Sequence, residues 1–167
     1  DGDYLYFLKK LTDLKKKKQY DHEMYAYVLM PNHFHLLMQT RKIPISKIMT
    51  SLTTSYSMYF NKKYHRVGPL FQNRFKSKLC DRDSYFLGAS RYILLNPIEA
   101  GLVSRMEDYP WSSYRELFDR QIILTPDVRR FVGTTEKEKE TYQQFLFDGV
   151  EQIEHLVKEY TFERDIE

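Results

Sequence analysis

The spacing of apolar residues along the chain predicts helices alternating with a short antiparallel sheet. Tyr4, Phe7, Leu8, Leu11 and Leu14 recur at helical intervals, so the chain opens inside a helix whose charged end is Lys15 to Lys18. Tyr25 to Met30 is rich in aromatic and β-branched residues and predicts a strand. Pro31-Asn32 supplies turn chemistry, and His33 to Gln39 predicts the returning strand of a hairpin. Ile45, Ile48, Met49, Leu52, Tyr56, Tyr59 and Phe60 trace one helical face up to Tyr64, with Ser46 or the preceding turn as its cap. Val67-Gly68-Pro69 breaks that pattern. Phe71 to Leu79 then alternates as a strand, with Phe71, Phe75 and Leu79 on one face and Gln72, Arg74, Lys76 and Lys78 on the other.

Asp81 or Asp83 can cap a further helix running to about Leu95, where Pro97 stops it. Tyr109-Pro110-Trp111-Ser112-Ser113-Tyr114 predicts a compact loop anchored in the core by the single tryptophan. Thr135 and Glu138 match a capping box for a C-terminal helix over 136–160, interrupted at Asp148-Gly149 and resuming to about Tyr160. This order of elements implies an α+β fold with an antiparallel sheet. A length of 167 residues suits one domain, 1–167, with 136–160 as a helical C-terminal extension.

Composition narrows the function classes. No apolar run approaches the roughly 18 residues that a membrane span needs. Cys80 is the only cysteine, which excludes an internal disulfide and a cysteine-based zinc site and fits a reducing, cytoplasmic setting. The net charge of +3 is modest, but its distribution is uneven. Between Asn61 and Lys78 lie Lys62, Lys63, Arg66, Arg74, Lys76 and Lys78 with no Asp or Glu, whereas most acidic residues follow Glu99. A basic segment of that kind is either a solvated positive surface or a face for an anionic partner. Tyr59, Phe60, Tyr64 and Phe71 interleave aromatics with it, which suits unpaired bases as well as phosphates.

Two pairs of polar residues stand out chemically. His33 and His35 are two apart on a strand, so both imidazoles leave one face while Phe34 and Leu36 leave the other. A shared metal ion would satisfy both rings; hydrogen bonds within the protein are the alternative. Tyr92 and Asn96 lie one helical turn apart. Together they could supply a nucleophilic hydroxyl and a ligating carbonyl oxygen, or a core aromatic and a helix-terminal residue.

The run YAYVLMPNHFHLL (Tyr25 to Leu37) resembles the histidine–hydrophobic–histidine motif of single-tyrosine HUH transposases. GPLFQNRFKS (Gly68 to Ser77), RYILLNPIEAGLV (Arg91 to Val103) and YPWSSY (Tyr109 to Tyr114) resemble the REP-associated tyrosine transposase branch, in the family's order. The resemblance implies a ferredoxin-like antiparallel sheet with packed helices. Family members begin with a strand ahead of the first helix; that strand is missing here, so the sheet is expected to be N-terminally incomplete or filled by another segment or subunit. It further implies metal-dependent cleavage and strand transfer of single-stranded DNA through a 5′-phosphotyrosine. Tyr92 would be the nucleophile, with Tyr85 as second candidate, and His33, His35 and Asn96 the ligands of Mg²⁺ or Mn²⁺. Lys62, Lys63, Arg66, Arg74, Lys76 and Lys78 would face single-stranded or hairpin DNA. The setting would be the cytoplasm, in association with the nucleoid, and related enzymes occur as monomers and as homodimers that exchange the tyrosine helix. A domesticated hairpin-binding protein without cleavage, and a plain metal-dependent hydrolase, are the rival readings.

Overall fold

A computed structural model describes residues 1–17, 19–81 and 83–150. The chain forms two compact units. The first comprises Asp1–Glu23 and Gln39–Ser77; the second comprises Met24–Met38 and the chain from Lys78 onward.

In the first unit, helix α1 (Gly2–Lys16) packs along helix α2 (Ile45–Lys63). The seam is apolar where the helical spacing predicts it: Phe7, Leu11 and Leu14 from α1, and Ile48, Met49 and Leu52 from α2, are buried. Phe7 meets Tyr56 edge-on at 5.1 Å, and Tyr6 stacks on Tyr59 at 3.7 Å. At one end Asp3 accepts hydrogen bonds from Lys63 Nζ (2.7 Å), Tyr64 OH (2.6 Å) and Tyr59 OH (3.1 Å). Burying each apolar side chain contributes roughly 1.5–3 kcal/mol, whereas an exposed ion pair contributes about 0–1 kcal/mol. The seam therefore holds the helices together, and Asp3 sets their register. No side chain caps α2; Pro44 occupies the N-cap position.

In the second unit the hairpin of β1 (His22–Leu29) and β2 (Phe34–Thr40) contributes its turn half. The turn closes with Met30 N–H donating to the His33 carbonyl at 2.8 Å. Met24, Ala26, Tyr27, Val28 and Leu29 are all buried, so β1 is covered on both faces. Its edge opposite β2 is also engaged. Leu29 N–H donates to Trp111 O, Ser113 N–H donates to Tyr27 O, both at 2.9 Å, and Val28 forms an antiparallel bridge with Ser112. The YPWSSY loop thus takes the place of a neighbouring strand beside β1. Tyr109 and Tyr114 are its buried aromatics, while Trp111, expected in the core, is only half-buried.

Helix α3 (Asp83–Glu99) is the centre of this unit; Ala89, Ser90, Tyr92, Ile93, Leu94, Leu95 and Asn96 are all buried. Helix α4 (Tyr114–Phe118), α5 (Arg129–Val132) and α6 (Glu136–Asp148) follow. Tyr25, Phe86 and Phe131 form an aromatic triangle joining β1, α3 and α5, with Tyr25 and Phe86 edge-on at 5.0 Å. The Arg91 guanidinium lies 4.5 Å from the Phe145 ring and donates to Phe145 O at 3.3 Å, tying α6 to α3. Gly149 lies close by, where a Cβ would stand 2.5 Å from Arg91 Cδ. A larger residue there would have to push the Arg91 and Leu95 side chains aside.

Two further expectations change. Phe71 to Leu79 does not form a strand: no helix or strand is present over 71–81, and Leu79 is 85% exposed. The alternation is there, but a strand needs a partner for its backbone groups, and among the described residues the sheet has only β1 and β2. Pro97 does not stop α3 at once, since the helix continues to Glu99. Proline removes one N–H, and the remaining end is closed by Ala100 N–H to Asn96 O and Leu102 N–H to Pro97 O, both 2.9 Å, with Gly101 at φ +66°. The capping box at α6 forms as predicted, with both reciprocal bonds between Thr135 and Glu138. The expected continuation beyond residue 150 lies outside the described residues.

The two carboxylates at these helix ends predict an acid-sensitive fold. Burial alone would raise the Asp3 pKa, but its bonds from Lys63, Tyr64 and Tyr59 win and lower it. Bonds from the Thr135 and Thr134 backbone hold Glu138 down at about 2. A depressed carboxylate stabilises the fold above its ordinary pKa and loses that contribution as pH falls through the folded value. Melting temperature is therefore expected to fall between about pH 4.5 and pH 2, and Glu138→Gln should flatten part of that limb. Acid limbs that superpose for the variant and the parent would refute this.

Candidate functional site

The second unit brings the sequence-predicted histidines and tyrosine together. His33 is the last residue before β2 and His35 is its second, so the strand's two-residue period turns both rings to one side. Their centroids are 4.9 Å apart, edge to face at 81°. The Tyr92 ring, from the middle of α3, is 5.5 Å from the His35 ring. His33 is exposed, His35 half-buried and Tyr92 buried at 5% exposure, so the cluster grades from solvent into the core.

Asn96 follows Tyr92 by one turn and is 2% exposed. Its Nδ2 donates to the Tyr92 carbonyl at 2.8 Å. The amide nitrogen being committed to its own helix, the carbonyl oxygen is the end of the side chain able to ligate. Asn32, read from the sequence only as a turn former, accepts a hydrogen bond at its Oδ1 from His33 Nδ1 at 2.7 Å.

His33 and His35 supply the imidazole donors that a divalent cation takes. Among the described residues no three His, Cys, Asp or Glu side chains gather to hold a metal ion, so a three-ligand site has to draw on a carboxamide such as Asn96. Two imidazoles favour Mn²⁺, Co²⁺ or Zn²⁺ over Mg²⁺ on ligand softness.

The basic residues are distributed over both units. Lys62 and Lys63 occupy the last turn of α2, where cations complement the helix dipole. Lys63 is committed to Asp3, and its ammonium lies 5.0 Å from the Tyr64 ring. Arg66 is exposed, with its guanidinium 5.7 Å from the Phe60 ring. Arg74, Lys76 and Lys78 are exposed on chain without regular structure, Lys78 lying 5.6 Å from the ring of Tyr85. His65, at φ +51°, makes the turn that leads from α2 into this segment, and Asn61 Nδ2 secures it by donating to Gly68 O at 2.8 Å.

Sequence reasoning missed one polar centre altogether. Glu116 Oε2 accepts from the backbone N–H groups of Ile122, Ile123 and Leu124 at 2.8, 2.8 and 3.1 Å, while Oε1 accepts from Tyr27 OH at 2.9 Å. Burial and the Glu116 charge together push the Tyr27 hydroxyl pKa far up. No local pattern marks Glu116, because all four donors are distant from it along the chain or arranged by a loop.

Comparison with known proteins bears on the family and the fold. A Haemophilus influenzae protein named as a REP-associated tyrosine transposase is 32% identical over 109 residues, which span 58% of this chain and 61% of that protein. The chain thus spans less than two thirds of its curated relative. The structure of a REP-associated tyrosine transposase bound to a REP hairpin superposes with a TM-score of 0.59 at 19% identity, covering 73% of each chain, and shows that the fold is shared. The family described as "Transposase IS200 like" matches residues 7–95, which include most of α1, the hairpin, α2 and Tyr92. With that match extending over more than half its length, the chain belongs to the IS200-like transposase family.

Proposed function

We propose that this protein cleaves single-stranded or hairpin DNA and rejoins it through a 5′-phosphotyrosine, using Tyr92 as nucleophile. The observation that carries this reading is the approach of three rings, His33 to His35 at 4.9 Å and His35 to Tyr92 at 5.5 Å, within one unit of the fold. His33, His35 and the Asn96 carbonyl oxygen would hold a divalent ion. Such an ion, when bound, polarises a non-bridging oxygen of the scissile phosphate and offsets its developing charge.

The remaining chemistry belongs to the chain. Tyr92 attacks phosphorus in line with the 3′ oxygen, so the tyrosine–phosphorus bond forms as the phosphorus–O3′ bond breaks. The phenol gives up its proton in the attack, and the departing 3′ oxygen gains one from solvent. The number of phosphoester bonds is unchanged, so attack by a 3′ hydroxyl reverses the step without ATP. Arg74, Lys76 and Lys78, with Lys62 and Arg66, would position the DNA backbone without reading sequence. Lys63 would do so only by exchanging Asp3 for a phosphate. The hairpin partner seen with the structural relative supports hairpin DNA as the ligand to test first.

The test is a labelled hairpin oligonucleotide carrying a single-stranded flank, incubated with Mn²⁺ and resolved on a denaturing gel. A covalent protein–DNA band is expected, abolished by chelator and restored by Mn²⁺. His33→Ala or His35→Ala is expected to weaken Mn²⁺ binding by more than about a hundredfold, beyond what losing a supporting residue does. Binding without any cleavage would favour a hairpin-binding protein. Cleavage that leaves no protein–DNA adduct would favour a hydrolase.

A further inference from the structure

We infer that Asn32 is a positioning residue that fixes the tautomer of His33 and so presents its Nε2 lone pair to the cation. This inference rests on the metal reading given above and extends it to a residue outside the ligand set. A neutral imidazole carries one proton on one of two nitrogens, and only the other nitrogen can ligate. An isolated ring exchanges between the two forms, so a histidine ligand is only part of the time in the form that can bind through a given nitrogen. Here the His33 Nδ1 faces Asn32 Oδ1 at 2.7 Å. A carbonyl oxygen accepts and cannot donate, so the shared proton sits on Nδ1 and the lone pair on Nε2.

The same contact orients the ring. His33 is exposed, and its ring meets the His35 ring edge-on at 4.9 Å. The turn closed by Met30 N–H on the His33 carbonyl, at 2.8 Å, fixes the backbone of residue 33. Asn32 then restrains the side chain from the adjacent position. His35 lies deeper and meets Tyr92 at 5.5 Å. Partners of this kind at metal-bound histidines contribute about ten- to a hundredfold in metal affinity.

The test uses the whole metal-free chain and two variants, Asn32→Ala and Asn32→Asp. The turn position is exposed, so neither change disturbs the core. Long-range ¹H–¹⁵N NMR on ¹⁵N-histidine protein reads the tautomer without metal or substrate. His33 is expected to show a protonated Nδ1 and an unprotonated Nε2 in the parent and in Asn32→Asp, which keeps the acceptor. In Asn32→Ala it should shift to a mixture or to the opposite form. Calorimetric titration with Mn²⁺ should show a ten- to hundredfold weaker affinity for Asn32→Ala, with Asn32→Asp at least as tight as the parent. An unchanged tautomer and an affinity within twofold in Asn32→Ala would overturn the inference, as would an Asn32→Asp protein as defective as the alanine variant. If the parent takes up no Mn²⁺, the metal reading fails, and the NMR comparison still decides the tautomer by itself.

Discussion

Tyr92→Phe protein is expected to form no covalent adduct with a hairpin oligonucleotide, and its strand cleavage should fall by at least about a thousandfold, as befits loss of a nucleophile. The substitution removes one oxygen and keeps the ring. The edge contact with His35 at 5.5 Å and the burial of the α3 core therefore survive, and binding of Mn²⁺ and DNA should stay within a few-fold of the parent. That separation is what distinguishes a reacting group from a packing aromatic. A core role would show instead as a lower melting temperature with adduct still formed. The sharpest control is Tyr85→Phe, since Tyr85 lies seven residues earlier on the same helix and is only half-buried. If Tyr85→Phe abolishes the adduct while Tyr92→Phe retains it, the nucleophile has been misassigned.

The largest loss of stability is expected at Glu116, which has no part in the chemistry. Its carboxylate collects three backbone N–H groups and the Tyr27 hydroxyl. Glu116→Ala leaves four donors without their acceptor, and Tyr27, Ile123 and Leu124 are too buried for water to replace it fully. At roughly 1 kcal/mol for each bond lost, and more for a donor left dry, the cost should be about 3–5 kcal/mol. Against a typical total of about 5–15 kcal/mol, that is roughly a fifth or more of the stability of an ordinary domain. Glu116→Gln should fall between, because its one carbonyl oxygen can accept while its NH₂ opposes the remaining donors. Urea unfolding followed by circular dichroism measures both. A loss below about 1 kcal/mol for the alanine variant would mean that the loop re-forms around water.

How much of this was legible in the sequence depended on the range of the interaction. Helices α1 and α2 were plain because their apolar periodicity is local and their partner is each other. The hairpin was equally plain, and with it the convergence of His33 and His35, since a strand's two-residue period is enough to bring neighbouring rings to one side. The i, i+4 spacing also placed Tyr92 and Asn96 together. What the spacing could not convey was the 5.5 Å approach of His35 to Tyr92, which joins residues far apart in the chain. The failure at Phe71 to Leu79 is instructive. Alternation describes a segment's readiness to be a strand, but only a neighbouring backbone makes it one. Trp111 misled for a related reason. The loop it belongs to is held by backbone bonds to β1 and by the Tyr109 hydroxyl on Leu29 O at 2.7 Å, so its largest side chain is not its anchor.

Because α3 is buried through its middle apart from a half-buried Arg91, the proposed nucleophile rides on a deeply held element of its unit. Lending that helix to a second molecule would open the lender's interior unless an identical helix came back in return. The chain already sets Tyr92 beside its own imidazoles, so the chemistry proposed above needs no second copy. Mixing a Tyr92→Phe protein with a His33→Ala protein should accordingly restore nothing.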